Sequence, residues 1–313
     1  MGRAFVFPGQ GAQTIGMGRD LADAYPEARA VFEEVDDALG EPLSSLIWDG
    51  DAETLTLTAN AQPALMATSI AALRALEAGG VDMGRHTSCV AGHSLGEYTA
   101  LVAARALTVG DAARLLRRRG EAMQEAVPAG LGAMAALLGL GIDDARAVAR
   151  EAAAAVEVCE AANDNDPTQV VVSGHRDAVG RAVDLAKERG AKRAVMLPVS
   201  APFHCKLMEP AAQVMAAELG RIELVTPIVP VIANVTASPA DDPGTLRDLL
   251  VMQVTRTVRW RESVARMATD GVTEVWEIGA GKALSGMVRR IDRSLATRSI
   301  GSPDDVAAAL EGL

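Results

Sequence analysis

Aromatic residues make up only 3% of this 313-residue chain, cysteine occurs three times, histidine four times, and 30 basic side chains face 41 acidic ones. Each shortage excludes something. Cys89, Cys159 and Cys205 form no zinc spacing and leave one thiol over in any disulfide scheme, so a reduced, cytoplasmic protein without a metal centre is expected. A net charge of −11 speaks against nucleic acid, whose binding relies on basic patches that displace counterions. It also obliges any acidic partner to dock on a local basic patch, against the overall field. No apolar run approaches the ~18 residues of a membrane helix. The run from Ala4 to Phe7 is stopped by Pro8-Gly9-Gln10, too short for the apolar part of a signal peptide, and residues 2 to 6 lack the Ser or Thr of a myristoylation signal.

Ala, Val, Leu and Gly dominate a composition that is 49% apolar, which suits helices packed closely on a parallel sheet. The length allows one large α/β domain or two domains. The most informative stretch is T-S-C-V-A-G-H-S-L-G-E-Y-T-A-L, Thr87 to Leu101. Its first half, to Ala91, reads as a buried strand and its second, from Leu95, as a helix start. Gly92 to Gly96 fit G-x-S-x-G, a sharp strand-to-helix turn that leaves the Ser94 hydroxyl outside the sheet, facing the free N–H groups of the helix. The alternative is a glycine-rich turn with an idle, solvated serine.

Other segments place this turn in a larger α/β unit. Arg3 to Phe7 reads as a first strand, and the Pro8 to Gln13 loop lacks the third glycine of a dinucleotide fingerprint. Leu21 to Leu39, Ser44 to Ile47 and Asn60 to Ala78 read as helical. Asp111 is the expected N-cap of a helix to about Ala126. On it, Arg118 and Arg119 cannot both be fully solvated if the Leu115, Leu116 and Met123 stripe is buried. Such arginines are commonly surface charges, but one partly buried beside a nucleophile makes a good carboxylate clamp. From Gly132 to about Ser200 the expected order is β-α-β-β-α-β, the ferredoxin-like unit, with Asn163-Asp164-Asn165-Asp166-Pro167 as a turn cluster. Strand-helix alternation then resumes: Val229 to Val235 and Val272 to Ile278 as strands, Leu246 to Gln253, Thr257 to Ala268 and Leu284 to Ile291 as helices. Gly279-Ala280-Gly281-Lys282 is too short for a P-loop, and Ala283 has no hydroxyl for magnesium.

A serine needs a base. His86 lies in a polar segment, His93 should point away from Ser94, and His175 sits at a strand exit in the inserted unit. His204, in A-P-F-H where the chain rejoins the main domain, is the favoured partner. No acid announces itself for a hydrolase triad, so a neutral acceptor is an open alternative for orienting the histidine.

Taken in order, several motifs make the chain resemble the malonyl-CoA:acyl carrier protein transacylase family, which also supplies acyltransferase domains to polyketide and fatty-acid synthases. They are F-P-G-Q-G-A-Q at Phe7 to Gln13, Q-P-A-L at Gln62 to Leu65, G-H-S-L-G-E at Gly92 to Glu97, R-R-G at Arg118 to Gly120, A-A-N-D-N at Ala161 to Asn165, A-P-F-H at Ala201 to His204, and Gln253 ahead of Val258-Arg259-Trp260. The resemblance implies an α/β fold: an α/β-hydrolase-like domain from residues 1–128 and 201–313, with a parallel sheet, and a ferredoxin-like lid at 129–200. It implies Ser94 as the acylated nucleophile, His204 as general base, the backbone N–H groups of Gln10 and Leu95 as oxyanion hole, Arg119 as partner of the malonyl carboxylate, and Gln253 as the group that holds His204. Leu95 and Phe203 resemble the residues of malonyl-selecting members. Malonyl-CoA is then a substrate and no cofactor or metal is implied. The partners are coenzyme A and an acidic acyl carrier protein, met by a basic rim drawn from Arg117, Lys187, Lys192, Arg193, Lys206, Lys282, Arg289 and Arg290. The protein is expected to be a monomer. A thioesterase, which needs no Arg119, and a carrier-binding scaffold with an idle Ser94 are the rival readings.

Overall fold

An interior strand of the main sheet, β1 (Gly2–Phe7), is buried over its last four residues, as a parallel strand covered on both faces must be. It pairs in parallel with β2 (Cys89–Gly92) on one side and β9 (Val272–Ile278) on the other. With β7 (Val231–Ala233), β8 (Ser238–Ala240) and β10 (Ala296–Ile300) they make a six-stranded sheet, ordered β10-β9-β1-β2-β7-β8. All its pairs are parallel except the last, where β8 runs antiparallel to β7. The edge strands β8 and β10 are short and polar and lack the apolar run that makes the central strands legible; Pro239 is tolerated at such an edge. The computed structural model describes residues 2–199, 201–311 and 313. Ser200, expected to end the inserted unit, lies outside them.

The Thr58–Ala78 helix is buried nearly all round and packs against the Val109–Glu125 helix. Gly120 permits that approach: a Cβ there would lie 2.5 Å from Ala59 Cα. The Val109–Glu125 helix starts earlier than expected. Thr108, not Asp111, is its N-cap, with Thr108 Oγ1 accepting from the Asp111 N–H at 3.1 Å and donating to Asp111 Oδ2 at 2.7 Å. The expected Leu21 to Leu39 helix is two, Arg19–Ala24 and Pro26–Leu39, because Pro26 cannot donate to the first and begins the second. Two more helices, Glu209–Leu219 and Pro303–Leu310, lie where the sequence pattern predicts none.

Between the Val109–Glu125 helix and His204 lies the second sheet. Its strands β3 (Gly132–Leu138), β4 (Cys159–Asp166), β5 (Gln169–His175) and β6 (Arg193–Met196) are antiparallel in the order β4-β5-β3-β6. With the Ile142–Ala152 and Arg176–Glu188 helices the chain order is βαββαβ, as expected, around a separate core that includes Leu137, Val148, Val172 and Val179.

The expected turn at Asn163 to Pro167 is instead the buried end of β4, and only Pro167-Thr168 turn. Composition misleads here because each polar side chain finds its partner across the fold. Asp164 accepts from Arg261 Nε and Nη2, Asn165 Oδ1 meets His93 Nε2 at 2.9 Å, and Asp166, 0% exposed, pairs with Arg290 at 2.7 Å and caps Thr168. Backbone bonds between Ala162, Asp164 and Val258 tie the same strand to the main sheet's domain. Asp166→Ala should therefore destabilise the protein by about 2–3 kcal/mol in urea melts, less than the ~3–5 kcal/mol of a fully buried pair because half-exposed Arg290 can rehydrate. A loss under ~0.5 kcal/mol would contradict this role for the strand.

Candidate active site

The turn after β2 holds Ser94 at φ 53°, the left-handed region that non-glycine residues avoid at a cost of about 1–2 kcal/mol. Gly92 and Gly96, two residues to either side, must be glycine. A Cβ on Gly92 would sit 1.9 Å from the Gly96 carbonyl carbon, and one on Gly96 would sit 2.4 Å from Phe7 O. The strain is held from outside by Asn234, at the end of β7, whose Oδ1 accepts from the Ser94 N–H at 2.8 Å and whose Nδ2 donates to Gly92 O at 2.7 Å. The Ser94 N–H is thus occupied. The N–H groups of Leu95 and Gln10 have no acceptor among the described residues, and both residues line the cavity above Ser94.

His204, also left-handed at φ 58°, reaches Ser94 Oγ with Nε2 at 2.7 Å. Its Nδ1 lies 2.8 Å from the backbone carbonyl of Gln253. A carbonyl can only accept, so Nδ1 carries the proton and the Nε2 lone pair faces the serine O–H. Burial, reinforced by the nearby Arg119 charge, pushes this imidazole down to about 3, which keeps it neutral and able to accept a proton at ordinary pH. Gln253 does hold His204, but through its main chain. Its side chain does other work: Nε2 donates to Ser94 O at 3.0 Å and Glu97 Oε2 at 2.9 Å, and Oε1 accepts from Arg119.

Arg119 is 1% exposed. Its partners are all neutral: Gln62 Oε1 at 2.8 Å, Gln253 Oε1 at 2.9 Å and Ser94 Oγ at 3.2 Å. Burial lowers its pKa, yet a guanidinium remains charged, so a cation stands beside Ser94 Oγ with no carboxylate bonded to it. Arg118 and Arg117 of the same helix point elsewhere, paired with Glu121 and with Glu41.

The cavity over Ser94 measures about 340 Å³ and is walled by Leu95, Met123, Met134, Leu197 and Phe203 among others. His93 is among the wall residues, but its ring is directed to Trp260, on which it tilts, and to Asn165, which it bonds. His175 lies apart, accepting the Val158 N–H within the second sheet, and His86 accepts the Asp82 N–H. Two contributors escape a reading of the sequence. Asn234 looks like any polar residue at a strand end. Glu97 lies within a quoted motif, but only the fold shows it buried, accepting from the Asn234 N–H and the Gln253 amide, with burial pushing its carboxyl up to about 7.

Known proteins share both the sequence and the fold. The family described as Acyl transferase domain matches residues 4–298. Malonyl CoA-acyl carrier protein transacylase of Bacillus subtilis (strain 168) is 46% identical over 310 residues, 99% of this chain and 96% of that protein. The crystal structure of the acyl-carrier-protein S-malonyltransferase of Bartonella henselae is 51% identical with a TM-score of 0.97, covering 100% of this chain and 99% of that one. A malonyl-transacylase solved in complex with its type II PKS acyl-carrier protein is 41% identical with a TM-score of 0.96, over 100% of both chains.

The histidine geometry makes its own prediction. In 15N-labelled protein His204 should give the spectrum of a neutral, Nδ1-protonated ring from about pH 8 down to about pH 5, with no titration near the ordinary 6.5. An imidazolium spectrum at pH 6 would contradict the tautomer and its cause.

Proposed function

This chain belongs to the acyl transferase domain family, and we infer from that premise that it is a malonyl-CoA:acyl carrier protein S-malonyltransferase of fatty-acid biosynthesis, moving malonyl from coenzyme A to the phosphopantetheine thiol of acyl carrier protein. One observation carries the malonyl part: a buried guanidinium without a bonded carboxylate, 3.2 Å from the oxygen that would bear the acyl group. An acyl chain ending in a carboxylate supplies the missing charge. An acetyl group does not.

The reaction proceeds in two like halves. His204 Nε2 takes the Ser94 proton as Oγ attacks the thioester carbonyl, and the Gln253 carbonyl steadies the imidazolium that forms. The N–H groups of Gln10 and Leu95 receive the oxyanion, where one preorganised donor is worth roughly 2.7–4 kcal/mol. The imidazolium returns its proton to the coenzyme A sulfur as the C–S bond breaks, leaving a malonyl ester on Ser94. The carrier's thiol then enters, gives its proton to His204, and takes the acyl group by the reverse steps. Arg119 holds the malonyl carboxylate through both halves and keeps the ester oriented away from water. In this reading no metal or cofactor takes part.

The acidic carrier protein needs a basic rim, and the ion pairs narrow the candidates. Arg117, Lys187 and Arg290 are engaged with Glu41, Asp184 and Asp166, and Arg289 donates to Thr297. Lys192, Arg193, Lys206 and Lys282 have no ion pair among the described residues and remain the candidates. The family resemblance implies a monomer. Among the described residues no helix is long and apolar enough to cross a membrane, and Cys89, Cys159 and Cys205 are buried free thiols; both support a cytoplasmic location.

Arg119→Ala tests the clamp. It should lower kcat/KM for malonyl-CoA by about a hundredfold or more, the scale of a lost charge-assisted pair, and leave acetyl-CoA turnover equal or faster. Equal losses for both donors would remove Arg119 from this role.

A further inference from the structure

The buried network around Ser94 holds one ionisable group that malonyl transfer leaves unused. Glu97, in the first turn of the Gly96–Ala103 helix, is 1% exposed and makes no ion pair among the described residues. Its Oε2 accepts two N–H groups, Asn234 N and Gln253 Nε2, each at 2.9 Å, while Oε1 has no partner among the described residues. A carboxylate that stays ionised in a protein interior is paired with a cation or supplied with donors on both oxygens. Glu97 has neither.

The cation it lacks is one amide away. The Gln253 side chain donates to Glu97 with Nε2 and accepts from Arg119 Nη2 with Oε1 at 2.9 Å, so a single neutral group stands between a buried carboxyl and a buried guanidinium. Burial pushes the Glu97 carboxyl up to about 7, and the Arg119 charge is among the influences that pull it back.

No other charge competes for Glu97. Around its helix, β2 and β7 carry no charged side chain, and Arg3 of β1 pairs with Glu274. Arg74 and Glu77 of the Thr58–Ala78 helix pair with each other. On the Val109–Glu125 helix Arg114, Arg117 and Arg118 pair with Asp111, Glu41 and Glu121, and Glu125 is exposed, which leaves Arg119 as its buried charge. The Pro243–Gln253 helix meets Glu97 through neutral Gln253; its Arg247 turns to the carbonyls of Leu219 and Ile222, and Asp248 is exposed. The remaining titratable neighbours stay neutral, since burial pushes Cys89 and Tyr98 up to about 12 and pushes His93 and His204 down.

An acyl carboxylate on Arg119 is a second anion for the same cation. Two carboxylates and one guanidinium in one buried site leave a net buried charge, and a proton on one carboxyl is the lower-energy course. The acyl carboxylate would bond Arg119 directly and Glu97 does not, so the proton falls to Glu97. Its Oε2 faces two N–H donors, which leaves Oε1 to take it.

We propose that Glu97 is the resident, unbonded counter-charge of Arg119 and yields that place to the malonyl carboxylate by taking a proton from solvent on Oε1 as the acyl group binds, an inference that rests on the malonyltransferase reading. Glu97 is then a determinant of acyl selection: a malonyl group completes the exchange, whereas with an acetyl group Glu97 keeps its place. The bound form holds the proton more tightly than the free form. Malonyl affinity is therefore greatest where Glu97 is already protonated, falls as pH rises through about 7, and levels off above the higher value of the bound form.

The test titrates Ser94→Ala protein, which holds the donor without turning it over, with malonyl-CoA and with acetyl-CoA in a calorimeter. Buffers of different ionisation enthalpy count the protons, from about pH 6 to about pH 9, and Ser94→Ala/Glu97→Gln is treated alike. Malonyl-CoA should take up about half a proton or more at the maximum, and its affinity relative to acetyl-CoA should fall about tenfold over the range, which corresponds to one pKa unit on Glu97. The acetyl-CoA titration removes the contribution of coenzyme A's own phosphates. Glutamine keeps an acceptor for Asn234 and Gln253 but takes no proton, so both effects should vanish in the double variant. Uptake that persists there, or the same pH dependence for both donors, overturns the proposal. Should the Ser94→Ala proteins not fold, the ratio of kcat/KM for malonyl-CoA to that for acetyl-CoA gives the same reading, falling with pH in wild type and flat in Glu97→Gln; a ratio that does not fall in wild type overturns the proposal. Folded Ser94→Ala protein that binds no malonyl-CoA at any pH would instead overturn the reading of the function.

Discussion

The amide of Asn234 holds a strained serine in place. With one side-chain atom it accepts the Ser94 N–H and with the other it donates to Gly92 O, bracing a left-handed serine against the adjacent strand. Much else depends on that brace. The turn leaves Ser94 Oγ projecting toward His204, and it commits the Ser94 N–H while leaving that of Leu95 open to the cavity. It also brings Ser94 O to the Gln253 amide. Asn234 is in turn fixed by the Glu97 carboxylate on its own N–H. Glu97, Gln253, Asn234 and the turn thus form one buried polar network, in which each member limits the freedom of the next. Such networks specify one arrangement only when their members are satisfied, and here most are. Glu97 Oε1 and Arg119 Nε are the exceptions, both lacking a partner among the described residues.

The second organising constraint is electrostatic. Arg119 is buried with three neutral partners, an arrangement whose desolvation cost structural stability alone would not favour. The nearest negative group, Glu97, lies within the same network without bonding it, and burial raises that carboxyl toward neutrality. The free site is therefore left with positive charge that a substrate carboxylate can relieve. The same positive charge depresses His204 further, which keeps the imidazole beside Ser94 Oγ neutral. On the proposed reading, a single cation thereby serves acyl selection and helps keep His204 neutral.

Legibility in the sequence differs from one residue to another, for physical reasons. The Ser94 turn is readable because its requirements are local: two glycines, a strand before and a helix after. Arg119 can be narrowed to one face of its helix by spacing from Leu115, but its pairing with the acyl carboxylate comes from family resemblance. Gln253 is rightly linked to His204, though sequence cannot say that the link is a carbonyl. The run from Asn163 to Asp166 is misread because its polar residues are satisfied by Arg261, His93 and Arg290, about 70 to 120 positions away. Asn234 carries no signal at all, since its role exists only once β7 lies beside β2. Short-range geometry is written locally; long-range partnership is not.

Whether Ser94 carries the acyl group between two thiols is addressed most directly by intact mass spectrometry after brief mixing with malonyl-CoA, with Ser94→Ala alongside. One malonyl per chain is expected, confined to Ser94, stable in buffer for the length of the assay and discharged on adding phosphopantetheinylated carrier protein. Rapid release of free malonate with no persisting adduct would mark a thioesterase, and an adduct that survives in Ser94→Ala would remove the serine from the chemistry.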